Sequence, residues 1–141
     1  MLLVDGRRKM PSSIAENKRL VERYFDIQRS GNLLQGLELL SDDATWTVPG
    51  EWELSGTLQR DKIVEMLEGL NLFEGGLNFE HHSMTAEEDR VVVFTTVSGM
   101  LKDGRAYKNE IVFLFVIKDG KFSAVTEAPD SAKSRQFWLG K

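Results

Sequence analysis

The sequence predicts an α+β fold: a cone-shaped, curved, mostly antiparallel β-sheet of five or six strands wrapped around three helices from the first half of the chain. Three observations predict it. Apolar residues recur at helical spacing before residue 70. Val, Ile, Phe and Thr, which crowd at Cβ and suit a pleated sheet, fill Arg90 to Ala128. Two Asp-Gly turns, Lys102-Asp103-Gly104-Arg105 and Lys118-Asp119-Gly120-Lys121, divide that stretch into a three-strand meander. Helices early and antiparallel strands late is α+β order, and helices on one face of a curved sheet leave a hollow between the layers.

Each element has its own signal. Residues 1–12 carry little pattern and are expected to be a flexible leader before one domain spanning residues 13–141. Ser13-Ile14-Ala15-Glu16 has capping-box spacing, so a helix starts there. Its stripe is Ile14, Leu20, Val21, Tyr24, Phe25 and Ile27, and Gly31 ends it. A second, shorter helix follows Asn32, with Leu33, Leu34, Leu37 and Leu40 on one side. Ser41-Asp42-Asp43 reads as a turn, Ala44 to Val48 as a strand stopped by Pro49-Gly50, and Glu51 to Thr57 as loop or irregular strand. Arg60 to Leu70 is a third helix, Asn71 to Leu77 a loop, and Asn78 to Ala86 a strand. Pro129 ends the last strand, and Phe137-Trp138 dock on the body.

Composition bounds the function. The chain has 141 residues, 41% hydrophobic and 28% charged, which suits one soluble domain. Net charge is −4 with scattered basic residues, so no nucleic-acid partner is expected. There is no cysteine, which excludes disulfides, thiolate catalysis and cysteine-based metal sites. No apolar run reaches the roughly 20 residues of a membrane span, and the start does not read as a signal peptide. A cytoplasmic protein without membrane partner is the expectation.

Several segments together resemble the nuclear transport factor 2-like superfamily, in its SnoaL-like polyketide cyclase and ketosteroid isomerase-like branch. They are Val21 to Phe25, Ser41 to Trp46, Val48-Pro49-Gly50, Ser55-Gly56, Asp89 to Val93, Asp119 to Phe122 and Glu127 to Asp130. The resemblance runs from about residue 14 to 130 and implies a cystatin-like cone with a small-molecule pocket. Ketosteroid isomerase uses an Asp base with a Tyr and a protonated Asp as oxyanion donors. The resemblance places the tyrosine on Tyr24, the base on Val48 and the protonated acid near Val112. Valine cannot move a proton, so a true steroid isomerase is not expected. Limonene epoxide hydrolase-like enzymes use an Asp-Arg-Asp set with Tyr and Asn; Arg105, Asn109 and Asp130 are the matching types here.

The candidate catalytic residues are therefore Tyr24 as donor, with Glu110 or His82 as base. Glu110 precedes a long apolar run, and at a pocket wall desolvation raises a carboxyl's pKa toward neutrality. His81 and His82 are neighbours in a strand, so at most one enters the cone, and a shared metal is not expected. Candidate ligand-binding residues are Trp46, Val48, Trp52, Met66, Met84, Val112, Glu127 and Asp130. Trp46 shares a strand face with Val48. Glu127 and Asp130 are two acids near one strand end, a pattern that suits acid–base work when their environments differ.

Three functions fit these residues. One is cofactor-free acid–base catalysis on a small apolar or polyketide-like molecule, by an isomerase, cyclase, dehydratase or hydrolase. The second is a non-catalytic pocket for such a molecule. The third is an interaction module with no substrate. The meander carries apolar residues on both faces, so a homodimer through the sheets is expected. No cofactor and no metal are expected.

Overall fold

A computed structural model of the chain describes residues 13–141, and the leader expected at residues 1–12 lies outside them. The first helix, α1, spans Ile14–Ser30. The capping box forms as the spacing requires: Ser13 Oγ accepts from the Glu16 amide at 3.1 Å, and the Glu16 carboxylate accepts from the Ser13 amide at 3.3 Å. Gly31, at φ 86°, closes the helix in the left-handed conformation. Its buried stripe is Asn17, Val21, Tyr24, Phe25 and Gln28, with Ile27 beside it.

The next segment, Leu33–Leu39, is a 3-10 helix rather than the expected α-helix. Its buried residues Leu33, Gly36 and Leu39 repeat every third position, which is the 3-10 period. Gly36 sits so close to α1 that a Cβ there would lie 3.0 Å from Gln28 Nε2. Strand β1 then runs Leu40–Val48 and absorbs the expected turn at Ser41-Asp42-Asp43. The correction has a local cause. Register against the last strand shifts between Leu40 and Thr45, so the polar residues bulge out of an otherwise continuous strand. Arg60 holds the bulge, donating to the carbonyls of Leu40 and Ser41 at 3.3 and 3.1 Å.

Strand β2 is Gly56–Leu58 and helix α2 is Arg60–Gly69, followed by a short 3-10 turn at Leu70–Leu72. The meander is β3 Asn78–Glu87, β4 Arg90–Met100, β5 Ala106–Lys118 and β6 Lys121–Pro129. The β5–β6 turn places Asp119 and Gly120 at φ 53° and 74°, the positive-φ pair of a two-residue hairpin. A third α-helix, α3, spans Ser131–Leu139 and had no counterpart among the expected helices. The Asp130 carboxylate caps it, accepting from the amides of Ala132 and Lys133 at 3.1 and 3.3 Å.

The six strands form one mixed sheet in the order β2-β1-β6-β5-β4-β3. Among the described strands only β1 and β6 pair in parallel, with Trp46 opposite Val125 and Thr47 opposite Thr126. That pairing brings the end of β1 beside the end of β6. Alternation divides β5 sharply. Tyr107, Asn109, Ile111, Phe113, Phe115 and Ile117 are buried toward the helices, and the even-numbered residues face away. Glu110 and Val112 are therefore on the outer face, Val112 at 40% exposure, and not on the wall of the hollow where the sequence reading put them. The buried odd set, larger and richer in aromatics, decides the register.

The core is aromatic. Phe25 packs edge-on against Phe79, Phe113 and Phe115, and Tyr24 against Phe115 and Phe122. Phe137 and Trp138 dock on Tyr107, with ring centroids 4.8 and 5.2 Å away, and so fold α3 onto the sheet end.

Candidate functional site

Between the inner sheet face and the three α-helices lies a cavity of about 500 Å³. Its walls are mostly aliphatic and aromatic: Trp46 and Val48 from β1, Met66 and Leu67 from α2, Phe113 from β5 and Trp138 from α3 are among them. No lysine, arginine or histidine among the described residues lines it.

The polar groups inside are few. Glu127 points in from β6, and its Oε1 accepts a hydrogen bond from Trp46 Nε1 at 3.3 Å. The parallel pairing of β1 and β6 makes that contact, since it sets Trp46 and Val125 side by side and Glu127 next along the same face. Burial in these apolar walls raises the Glu127 pKa, and the Trp46 hydrogen bond opposes the shift without cancelling it. Tyr24, 4% exposed, faces the same cavity from α1. Its hydroxyl has no hydrogen-bond partner among the described residues. No described buried side-chain polar atom is both sealed off and unpaired, so that hydroxyl opens onto the cavity. Burial raises its pKa, and the nearby Glu127 charge raises it further, so the phenol stays protonated and available as a donor.

Sequence and fold comparisons fit this architecture. Residues 21–125 match the SnoaL-like domain family. The chain belongs to that family. Comparison with curated proteins finds no match. Among solved structures the SnoaL-like chain is similar to an NTF2-like protein from Burkholderia pseudomallei K96243, with a TM-score of 0.73 and 18% identity over 86% of this chain and 95% of that one. It is similar to an LEH-like epoxide hydrolase of M. tuberculosis, with a TM-score of 0.70 and 15% identity over 90% and 92% of the two chains. It is also similar to TerC, co-crystallised with polyporic acid, with a TM-score of 0.68 and 20% identity over 86% and 96%. At these identities the likeness concerns the fold, which is that of the nuclear transport factor 2-like superfamily.

The SnoaL-like cavity gathers some of the residues singled out in the sequence and leaves others outside. Tyr24, Trp46, Val48, Trp52, Met66 and Glu127 line it. Met84 packs half-buried against the core elsewhere, and Val112 and Glu110 face outward. His82 also lies on the outer face, where Nε2 pairs with Thr96 Oγ1 at 2.7 Å and the ring rests on Phe94. His81 points inward, as strand alternation requires, but lies under α1. Its Nδ1 is 2.9 Å from Thr95 Oγ1 and its ring 4.5 Å from Phe25. Burial, then the Arg29 charge, lowers its pKa, so it remains neutral. Among the described residues no cluster of three or more His, Asp and Glu side chains stands ready for a metal.

Asp130 does not join Glu127, because its carboxylate caps α3. Asn109, fully buried, donates to Ser134 Oγ at 2.8 Å and accepts from the Asp130 amide at 3.1 Å, tying β5 to α3. Arg105 pairs with Asp103 at 2.9 Å and lies over the Phe137 ring at the surface. The epoxide hydrolase-type set of Arg105, Asn109 and Asp130 thus does not converge on the cavity.

Tyr107 and Gln28 are among the polar lining residues that escaped the sequence reading. Tyr107 belongs to the buried alternation of β5; burial raises its pKa, and the neighbouring Asn109 side chain is the first influence opposing the shift. Gln28 lies one helical turn after Tyr24 on the stripe of α1, a spacing visible in the sequence.

Proposed function

We propose that this SnoaL-like protein binds a small, largely apolar, uncharged molecule in the cavity and performs cofactor-free acid–base chemistry on it. Glu127 carries the proton and Tyr24 donates to the substrate oxygen. The observation that supports the reading most is the Glu127 carboxyl, held by Trp46 Nε1 in an apolar chamber that also contains an unpartnered phenol. A carboxyl whose pKa is raised toward neutrality is an effective acid or base there, and a positioned donor stabilises an oxyanion as it forms. In the elementary step, the Glu127 carboxylate takes a proton from the carbon beside a carbonyl. The electron pair moves to the carbonyl oxygen, which is held by the Tyr24 hydroxyl, and the proton then returns at the same or another carbon. The steroid isomerase arrangement is not available, because the residue before Pro49 is Val48.

The test needs no natural substrate. 2-Tetralone is a neutral bicyclic ketone with exchangeable protons, and its deuterium uptake in D2O is followed by NMR. The protein accelerates uptake, Glu127→Gln removes roughly a hundredfold of the acceleration, and Tyr24→Phe removes less. Uptake at the buffer rate, or unchanged uptake in Glu127→Gln, contradicts the reading.

A non-catalytic binding protein is the second reading, favoured by the scarcity of polar lining groups. In that case ligands bind with affinities that Glu127→Gln leaves intact, and no exchange is seen. The proposal includes a homodimer. The outer sheet face exposes Val92, Phe94, Met100 and Val112, and two such faces cover one another about a two-fold axis. Equilibrium sedimentation at twice the chain mass is the expected outcome, and a monomer at all concentrations removes it.

A further inference from the structure

Two buried polar side chains of α1 reach the cavity one helical turn apart. Tyr24 presents its unpartnered hydroxyl, and Gln28, 1% exposed, lines the same space. Gln28 uses only Nε2 within the protein, in a long 3.5 Å bond to the Leu33 carbonyl. Its Oε1 accepts from no described residue. No described buried side-chain polar atom is sealed off without a partner, so this oxygen opens onto the cavity. An acceptor in apolar surroundings favours a ligand that brings it a donor and disfavours one that presents carbon there.

The backbone that carries the side chain is held from several sides. The Leu77 amide donates to the Gln28 carbonyl at 3.1 Å, and that of Gly31 to the same oxygen at 3.4 Å. Gly76 presses against the neighbouring Arg29 backbone, where any Cβ would collide. Gly36 packs over Nε2 so closely that a Cβ there would lie 3.0 Å from it. On that fixed backbone the Nε2 bond to the Leu33 carbonyl orients the amide before any ligand arrives, as a specificity element needs to be.

We infer that Gln28 is a specificity-determining residue: its Oε1 selects uncharged ligands that carry a hydroxyl or N–H donor at a second point, away from the oxygen that meets Tyr24. The inference rests on the proposed reading of the cavity as a small-molecule site. It narrows the ligand class from apolar molecules in general to two-ended ones, with an acceptor at one end and a donor at the other.

Three matched fluorescent ketones test it: 2-acetylnaphthalene and its 6-hydroxy and 6-methoxy derivatives. All have the same bicyclic body and the same carbonyl, and they differ in offering a donor, an acceptor alone, or carbon. Their Kd values are measured for the wild-type protein and for Gln28→Met, which keeps length and removes polarity. The hydroxy ketone binds the wild type about tenfold more tightly than either of the others. Gln28→Met erases the difference while binding the unsubstituted ketone at least as well. The wild-type ranking alone decides the matter if the variant fails to fold. Equal binding of all three to the wild type, or a preference that survives in Gln28→Met, overturns the inference and leaves the cavity reading standing. Failure of all three to bind overturns both.

Discussion

The two ends of the cavity are built differently. The closed end, around Tyr24, Trp46, Phe113 and Glu127, is held by contacts between residues far apart in sequence. The Trp46–Glu127 hydrogen bond and the packing of Tyr24 and Phe25 on β5 are examples. The mouth, where the exposed or half-buried residues 52–55 line the cavity, is held by local bonds and by exposed charges that reach α3. Ser55 Oγ donates to the Trp52 carbonyl at 2.6 Å and accepts from the Trp52 amide at 3.1 Å. Gly50, at φ 110°, permits the turn. Glu53 meets Arg135 of α3 at 2.9 Å and Lys141 at 3.6 Å, all with exposed or half-exposed side chains. Its pKa is lowered first by a hydrogen bond to its own backbone and then by Arg135.

The difference has a physical lesson. Acid–base groups need fixed neighbours, because their pKa depends on what surrounds them. An entrance needs a segment that opens without disturbing the core, and few buried contacts give it that freedom. The strongest perturbation of the contrast is at the closed end. Phe25→Ala empties a fully buried site between α1 and β5 and costs about 3–5 kcal/mol in urea unfolding. A loss below 1 kcal/mol contradicts the description of that end as rigidly packed. The smallest effect belongs to the mouth. Arg135→Met removes one exposed ion pair and leaves the melting temperature unchanged, while the off-rate of 6-hydroxy-2-acetylnaphthalene rises and loses part of its salt dependence. A melting temperature lowered as much as by Phe25→Ala makes the mouth part of the core.

Much of the fold was legible because local chemistry and global structure agree. The capping box at Ser13 and the Asp-Gly turn at Asp119-Gly120 perform in the structure the roles that their residue types imply. The closed end was legible in part: Tyr24 from the resemblance, Trp46 with Val48 from strand alternation. The face of β5 was not legible. Ile111 to Ile117 is apolar at every position, so alternation carries no parity, and Glu110 was placed inside. Parity follows from the larger, aromatic odd-numbered side chains and from Asn109 in the same set, which meets Asp130 and Ser134. The α3 helix did leave a signal, an Asp just after Pro129 and before a run of small and basic residues, which is an N-cap pattern. Glu127 was visible as an acid near a strand end. Its environment was not, because the parallel β1–β6 pairing that supplies Trp46 joins segments some eighty residues apart.

The central claim is that one carboxyl, sunk among aromatic walls, is tuned for proton transfer. Carbon-detected NMR of the glutamate side-chain carboxyls, with Glu127→Gln supplying the assignment, reads its titration directly. The account predicts a Glu127 midpoint clearly above the ordinary glutamate range, with that of Glu53 below it. A Glu127 midpoint at or below the ordinary value contradicts it.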